Sequence, residues 1–287
     1  MGETTMFEYD QSAALDIQEV SREERGGVTV RDISFAVPGS SRRVGAYLVT
    51  PPGSGPFAGI LYVHWYEPPN PSSNRVQFLE EAIRMAERGA VSLLVDTMWS
   101  PHEWYVQRDL ADDYEASTRQ VIELRRALDV LISQPGVESE RIALVGHDFG
   151  GMFGSIVAGW DARVRSYNII AATPRFKEWY LFGAKLEGEE LDAYVRRISE
   201  LDPITHIARA KNATFFFQFG RKDRFVPEER ALELYEAAPG EKQIAWYDTD
   251  HEIEAPQAQE DRVTWLSERL GLQVPVWQLS QGWQSRT

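Results

Sequence analysis

The spacing of apolar side chains predicts that strands and helices alternate along most of the chain. Residues 28–35 alternate apolar and polar positions, which is the pattern of a half-buried strand. Residues 60–63 are wholly apolar, as in a strand covered on both faces. Residues 113–133 carry apolar side chains at helical spacing. The predicted strands are 28–35, 44–49, 60–63, 91–95, 142–145, 164–171, 214–219 and 243–247, and the predicted helices are 78–88, 113–133, a segment from Gly151, 176–200, 227–238 and 257–270.

This order of elements predicts an α/β fold, with a mainly parallel sheet of about eight strands and helices on both faces. The first two strands have no helix between them, so we expect an antiparallel edge. No repeat or linker interrupts residues 26–272, which predicts a single domain. Residues 1–25 are polar and acidic and favour an irregular or helical arm, while residues 273–287 form a polar tail.

Composition narrows the classes of function. The chain has 287 residues, 43% of them hydrophobic, and its net charge of −14 disfavours a nucleic-acid partner. It has no cysteine, which excludes a thiolate nucleophile and a cysteine-based metal site. The N-terminus lacks a signal-peptide pattern, and no apolar run approaches membrane-spanning length. We therefore expect a cytoplasmic protein that acts on a small molecule without nucleic acid, membrane, cofactor or metal, and we leave a homodimer open.

The most informative stretch of the sequence is residues 144–151, which read LVGHDFGG. An apolar strand stops at Gly146, and a helix opens at Gly150, with Asp148 midway between the two glycines. Glycine is needed at these positions because a Cβ there would collide with the backbone of the sharp turn. Strand, turn and helix with this spacing are the pattern of a nucleophile elbow. Serine or cysteine is the usual central residue, and here it is Asp148.

A nucleophile at a strand end needs a base, and the base needs a carboxylate to orient it. Asp223 follows the strand that ends at Phe219, and His251 follows the strand that ends near Tyr247. Ligands of open α/β sheets bind beyond the carboxyl ends of the strands, so Asp148, Asp223 and His251 should meet at one edge.

The chain resembles the α/β-hydrolases, and specifically the dienelactone hydrolase branch, over residues 28–270. The resemblance rests on the elbow Gly146-x-Asp148-x-Gly150-Gly151, the acid loop Gly220-x-x-Asp223-x-x-x-Pro227, and His251 before the last helix. Dienelactone hydrolases carry cysteine or serine at the elbow, so Asp148 departs from that pattern.

The string Gly146-His147-Asp148 is instead similar to epoxide hydrolases and haloalkane dehalogenases. Those families usually place tryptophan after the aspartate and use a His-Gly-x-Pro loop for the oxyanion. This chain has Phe149 and residues 64–68 at those places. Their large helical cap is also missing, since residues 176–200 can supply only a small one.

An aspartate nucleophile narrows the substrate. A carboxylate that attacks an ester forms an anhydride, and with a carboxyl pKa of about 4 it leaves more readily than an alkoxide does. Attack at saturated carbon, as in an epoxide or alkyl halide, gives an ordinary ester on Asp148. His251, oriented by Asp223, would then activate water to hydrolyse that ester. We therefore expect hydrolysis at saturated carbon, with an epoxide favoured over a halide.

The remaining site residues are predicted from their place in the loops. The backbone N–H groups of Phe149 and Tyr66 are expected to form the oxyanion hole. Hydrogen-bond donors for the leaving atom are expected among tyrosines 66, 105 and 180 and tryptophans 65, 99 and 104. The residues expected to bind substrate are His64, Trp65, Trp99 and Tyr105.

Several alternatives remain open on the sequence alone. The chain fits an ester or lactone hydrolase of the dienelactone type, or a catalytically silent ligand-binding protein. Asp148 could act as a base on water without a covalent intermediate. Asp248 or Asp250 could orient His251, because Asp223 could be an ordinary carboxylate at a helix start.

Overall fold

A computed structural model describes residues 6–68 and 70–272 of the chain. Within these ranges nine strands form one sheet, in the order β1-β2-β3-β5-β4-β6-β7-β8-β9. The strands are β1 (Gln18–Arg25), β2 (Val28–Ala36), β3 (Arg43–Thr50), β4 (Phe57–Val63), β5 (Ala90–Val95), β6 (Val137–His147), β7 (Ser166–Ile170), β8 (Thr214–Gly220) and β9 (Lys242–Tyr247). The helices are α1 (Leu79–Ala86), α2 (Trp104–Gln107), α3 (Asp113–Ile132), α4 (Phe149–Ala158), α5 (Lys177–Tyr180), α6 (Gly188–Ile198), α7 (Pro203–Ile207), α8 (Glu228–Ala237) and α9 (Pro256–Arg269).

The centre of the sheet is parallel and covered on both faces. Strands β5, β4, β6, β7, β8 and β9 pair in parallel, and every residue of β4 is buried. Alternate residues of β4 join two different core clusters: Leu61 packs on the face covered by α3 and α4, and Tyr62 packs on the face covered by α1 and α9. The carboxyl ends of these strands therefore meet at one edge, as the sequence predicts.

The N-terminal part of the sheet is antiparallel and longer than expected. The strand pairs β1–β2, β2–β3 and β3–β5 are all antiparallel, so the predicted antiparallel edge is present. The expectation of an irregular or helical arm over residues 1–25 is wrong for β1, which gives nine strands instead of about eight. All eight residues of β1 are exposed, so no apolar alternation marks the strand in the sequence. The first five residues and the tail 273–287 lie outside the described residues.

The predicted single helix over residues 176–200 is interrupted. The short helix α5 and the longer α6 are separated by residues 181–187, and a 3-10 turn at Ser199–Leu201 follows α6. Gly183 and Gly188 adopt positive φ angles of 75° and 56°, a backbone conformation that a continuous α-helix does not contain. Helices α5 and α6 lie in the segment from which the sequence predicts a small cap. None of the described helices has both the length and the apolar character needed to cross a bilayer.

Candidate active site

Asp148 occupies a sharp turn between β6 and α4. Its backbone has φ 59° and ψ −119°, a conformation that an L-residue adopts only under strain. A Cβ added at Gly146 would lie 2.3 Å from the Gly150 carbonyl oxygen, and one at Gly150 would lie 2.2 Å from that of Val63. The two glycines are therefore required by direct contact, for the reason the sequence suggests.

The Asp148 carboxylate is buried, with 2% of the residue exposed, and it is held by backbone groups. The Tyr66 N–H donates to Oδ2 over 2.7 Å. The backbone N–H of Phe149 also acts on this carboxylate and favours its ionised form. The two residues that the sequence nominates for the oxyanion hole thus provide N–H groups to Asp148 itself.

The imidazole of His251 lies between two carboxylates. Its Nδ1 is 2.8 Å from Asp223 Oδ2, and its Nε2 is 3.7 Å from Asp148 Oδ1. Oδ1 of Asp223 accepts the backbone N–H groups of Phe225 and Val226 at 2.7 and 3.0 Å, so its Oδ2 remains for the histidine. Since a carboxylate only accepts, Nδ1 carries the proton in this contact.

The other two acids considered as orienting groups do not contact the imidazole in this way. Asp248 pairs with Lys222 over 3.0 Å, and both side chains are largely exposed. Asp250 accepts a long hydrogen bond of 3.5 Å from the hydroxyl of Thr249. Asp223 is therefore the carboxylate that lies behind His251.

For both His251 and Asp148, burial shifts the pKa in one direction and the neighbouring charges and hydrogen bonds shift it in the other. Burial alone would lower the pKa of His251, but its interactions with the carboxylates of Asp148 and Asp223 raise it to about 10. Burial raises the pKa of Asp148 above its usual value, while His251 and the N–H groups of Tyr66 and Phe149 oppose that rise. The two neighbouring carboxylates therefore favour the protonated form of the imidazole at neutral pH.

Aromatic side chains pack around the elbow. The Phe149 ring lies 5.4 Å from Trp104 and 5.1 Å from Trp179, measured between centroids. Trp179 also meets the His251 ring edge-on at 5.6 Å, and Phe225 does so at 5.2 Å. Trp179 and Phe225 cannot be recognised as site residues from the sequence. An aromatic residue beside a catalytic group looks the same in the sequence as one in a core.

Two of the residues expected to bind substrate, His64 and Trp99, support the loop that carries Tyr66. His64 is buried, with Nδ1 2.6 Å from the Trp65 carbonyl oxygen and Nε2 2.9 Å from the Ser100 hydroxyl. Burial lowers the pKa of His64 to about 4, so this ring is neutral. Trp99 is fully buried and donates its indole N–H to the His64 carbonyl over 3.1 Å. Neither side chain offers a free polar group toward Asp148.

The proposed phenol donors are engaged within the protein. Tyr66 donates to the His102 carbonyl over 2.8 Å, and the Tyr180 hydroxyl bonds to that of Ser117 over 2.8 Å. The hydroxyl of Tyr105 bonds to carbonyl oxygens of the cap, including that of Phe182 at 2.9 Å.

Two buried indole N–H groups differ from these phenol hydroxyls, which all have hydrogen-bond partners within the protein. Among the side chains that the structure describes, the Nε1 atoms of Trp65 and Trp179 are buried without a hydrogen-bond partner. Trp65 stacks on His147 at 5.1 Å, whereas Trp179 contacts His251 directly. The indole of Trp179 is therefore the unpaired donor nearest the base.

No metal centre is visible in the described ranges 6–68 and 70–272: they contain no cluster of three or more histidine, aspartate or glutamate side chains arranged to hold an ion.

Comparison of the structure with solved structures identifies the fold. An acetyl xylan esterase from Paenibacillus sp. R4 superposes with a TM-score of 0.74 at 17% identity, covering 90% of each chain. Acetyl xylan esterase 1 from Thermoanaerobacterium sp. JW/SL YS485 gives a TM-score of 0.73 at 15% identity, covering 90% of this chain and 89% of the other. A proposed dienelactone hydrolase from Klebsiella pneumoniae subsp. pneumoniae MGH 78578 gives 0.62 at 13% identity, covering 85% and 98%.

These comparisons establish that the chain has the α/β-hydrolase fold. At these identities the likeness extends to the fold alone, because the same fold supports many chemistries. No protein-family model matches the sequence, and no curated protein matches it.

Proposed function

We propose that the chain is a hydrolase in which Asp148 attacks a saturated carbon and forms a covalent alkyl ester, with an epoxide as substrate. One observation carries the proposal: Oδ2 of Asp148 accepts the Tyr66 N–H at 2.7 Å, and Oδ1 faces His251 Nε2 at 3.7 Å. In the ester, Oδ2 would be the carbonyl oxygen and would already lie in the oxyanion hole. Attack of water on Cγ then develops negative charge where the donors are.

The same geometry disfavours an ester as the substrate. An ester carbonyl needs backbone N–H donors for its oxygen, and the Tyr66 N–H is occupied by Asp148. Attack by the carboxylate would also give an anhydride that collapses back, because carboxylate is a better leaving group than alkoxide. An aspartate at this position suits displacement at saturated carbon.

The protonation state of His251 favours an epoxide over an alkyl halide as the substrate. His251 is held protonated by its two carboxylate neighbours, with its pKa raised to about 10. Opening an epoxide produces an alkoxide, which can take this proton. Displacement of halide consumes no proton, so His251 would first have to lose one to solvent before it could act as a base.

The full cycle balances with one water. The Asp148 carboxylate forms a bond to an epoxide carbon, the C–O bond breaks, and the alkoxide takes the proton from His251. Esterification removes the charge of Asp148, so the pKa of His251 falls and the neutral imidazole can accept a proton from water. The hydroxide adds to Cγ, the diol leaves with its alkoxide protonated by His251, and the Asp148 acid returns its proton to the imidazole.

Ester or lactone hydrolysis is the second candidate. Its support is the activity named for the structural neighbours, two acetyl xylan esterases and a proposed dienelactone hydrolase. In that case Asp148 would act as a base on water, and no bond between substrate and protein would form.

A single turnover in ¹⁸O-water, with enzyme in excess over an epoxide such as styrene oxide, separates the two routes. The covalent route labels the Asp148 carboxylate, whereas direct attack by water labels only the product. In His251→Gln the adduct should form more slowly, because the acid for ring opening is lost, but it should then persist as a mass increase of one substrate, and in Asp148→Asn it should not form at all. Turnover of aryl esters without label in the protein would favour the second candidate, and no turnover of epoxides, haloalkanes or esters would favour a ligand-binding protein.

A further inference from the structure

The oxyanion donor and the base come from loops that are far apart in the sequence. Tyr66 follows β4, and His251 follows β9, with Asp148 between them at the end of β6. Reaction at Asp148 requires both loops to keep a fixed position relative to its carboxylate, since a misplacement of about 1 Å can cost roughly a hundredfold in rate. A connection between the two loops would hold both of them in place relative to Asp148.

A chain of three hydrogen bonds passes from one loop to the other. The Trp65 backbone N–H donates to Gln77 Oε1 over 2.9 Å, and Gln77 Nε2 lies 2.6 Å from His147 Nδ1. His147 Nε2 lies 2.9 Å from the backbone carbonyl oxygen of His251. The chain thus begins at the residue before Tyr66 and ends at the backbone of the base. One of its two inner members, His147, is the residue before Asp148.

The donors and acceptors of this chain admit one protonation state of His147. A carbonyl oxygen only accepts, so Nε2 carries a proton. The Gln77 amide nitrogen only donates, so Nδ1 has none. Burial lowers the pKa of His147 well below its usual value, and the neighbouring His251 lowers it further, which agrees with a neutral ring. The His147 ring is also buried and stacks on Trp65 at 14° between planes.

We propose that Gln77 and His147 are positioning residues that join the oxyanion loop to the loop of the base and so set the geometry on both sides of Asp148. They contact no reacting atom and act through Trp65 and the His251 backbone. The effect on rate rests on the proposed function, whereas the hydrogen-bond chain and its influence on His251 do not.

The first test needs no substrate. The chain has five histidines, so their ring nitrogens can be assigned by ¹⁵N NMR of labelled protein. In the wild type, His147 should carry its single proton on Nε2 at neutral pH. In Gln77→Glu the carboxylate can still accept from Trp65 but cannot donate to His147, so Nδ1 should become protonated as well. The positive charge on the His147 ring, 5.7 Å from that of His251 between centroids and partly offset by the introduced carboxylate, should lower the pKa of His251 measurably.

Two NMR results would overturn the proposal. One is a wild-type His147 with its proton on Nδ1, which the hydrogen-bond chain forbids. The other is a folded Gln77→Glu variant in which His147 and His251 both titrate as in the wild type.

The second test measures rate with an epoxide substrate. Gln77→Met removes both hydrogen bonds at similar length and should lower kcat about tenfold or more with little change in KM. The control is Gln257→Met, an exposed glutamine of α9 that bonds to Asp261 over 2.6 Å, and it should keep wild-type kinetics. A folded Gln77→Met variant with wild-type kcat would overturn the positioning role. If the wild type does not open epoxides while the NMR results hold, the proposed function fails and the coupling stands.

Discussion

Two buried carboxylates of this protein are paired with buried cations, and the pairs differ in how completely their hydrogen bonds are satisfied. Glu81 of α1 meets Arg262 of α9 with Nε 3.0 Å from both carboxylate oxygens and Nη2 2.6 Å from Oε2. Tyr62 donates to the same carboxylate over 3.3 Å, and Arg262 also donates to Gln218 over 3.0 Å. This first pair is closed, with several short contacts on each partner.

The second pair, Asp148 and His251, is open. Its atoms lie 3.7 Å apart, beyond hydrogen-bonding distance, on a backbone turn with φ 59°. A closed pair is what a buried charge needs for stability, because any unpaired charge in the core is costly. An open pair leaves Oδ1 of Asp148 without a short contact from His251. The contrast predicts that substitutions at the second pair affect reaction and those at the first affect folding.

The largest effect should follow from Asp148→Asn. The amide is a poor nucleophile, so turnover should fall about 10⁴-fold or more, as for other single nucleophile removals. Near pH 6 stability should fall only by what the charge of Asp148 contributes to protonated His251, because the amide keeps the shape of the side chain and His251 keeps Asp223 as a partner. Steady-state kinetics with an epoxide and urea unfolding measure the two quantities. Full activity in this variant would contradict the covalent role.

A loss of stability of about 3–5 kcal/mol should follow from Glu81→Gln, because Arg262 is left as a buried, uncompensated charge. Activity per folded molecule should remain. The control is Glu80→Gln on the same helix, which pairs with Arg25 at the surface over 3.1 Å and should cost less than about 1 kcal/mol. Equal stability of the two variants in urea would remove the contrast.

A smaller effect, about fivefold in kcat/KM, should follow from Trp179→Phe if its unpaired indole N–H donates to the substrate, since one hydrogen bond is worth about 1 kcal/mol. The ring contacts with Phe149 and His251 are retained, so the free energy of unfolding should be almost unchanged. Trp246→Phe on β9 is the matched control and should behave as wild type. An unchanged kcat/KM in Trp179→Phe would assign that tryptophan to packing alone.

The smallest effect is a pH dependence of stability. The pKa of His251 is raised from 6.5 to about 10 in the folded protein, so the stability it provides is full below pH 6.5 and is lost as the pH rises toward 10. Asp148→Asn removes one of its two carboxylate partners. The stability gap between wild type and this variant should therefore narrow from pH 6 to pH 9.5 in urea unfolding.

The Glu81 pair provides the reference for that measurement. Its charges raise the pKa of Arg262, which stays protonated throughout this range. The gap between wild type and Glu81→Gln should therefore stay constant over the same interval. A gap that moves with pH in both variants would point to a global effect instead of the titration of His251.

The sequence predicts well what depends on local pattern. The buried strands β4 to β8 appear as apolar runs, and the glycines around Asp148 mark a turn that no Cβ can enter. It misses β1, whose eight residues are all exposed and so carry no apolar period. It also overextends the cap helix past Gly183, because apolar spacing alone does not reveal a change of backbone direction.

The sequence by itself determined the order of strands and helices and the acid at the elbow, because apolar periodicity and glycine spacing act over a few residues. It also placed Asp223 and His251 after strand ends, which in a parallel sheet share an edge. Only the tertiary structure decided the 2.7 Å contact of Tyr66 with Asp148 and the chain of hydrogen bonds from Trp65 through His147 to His251. The Tyr66–Asp148 and His147–His251 contacts join residues 82 and 104 positions apart, and such distances are fixed by the packing of the whole sheet.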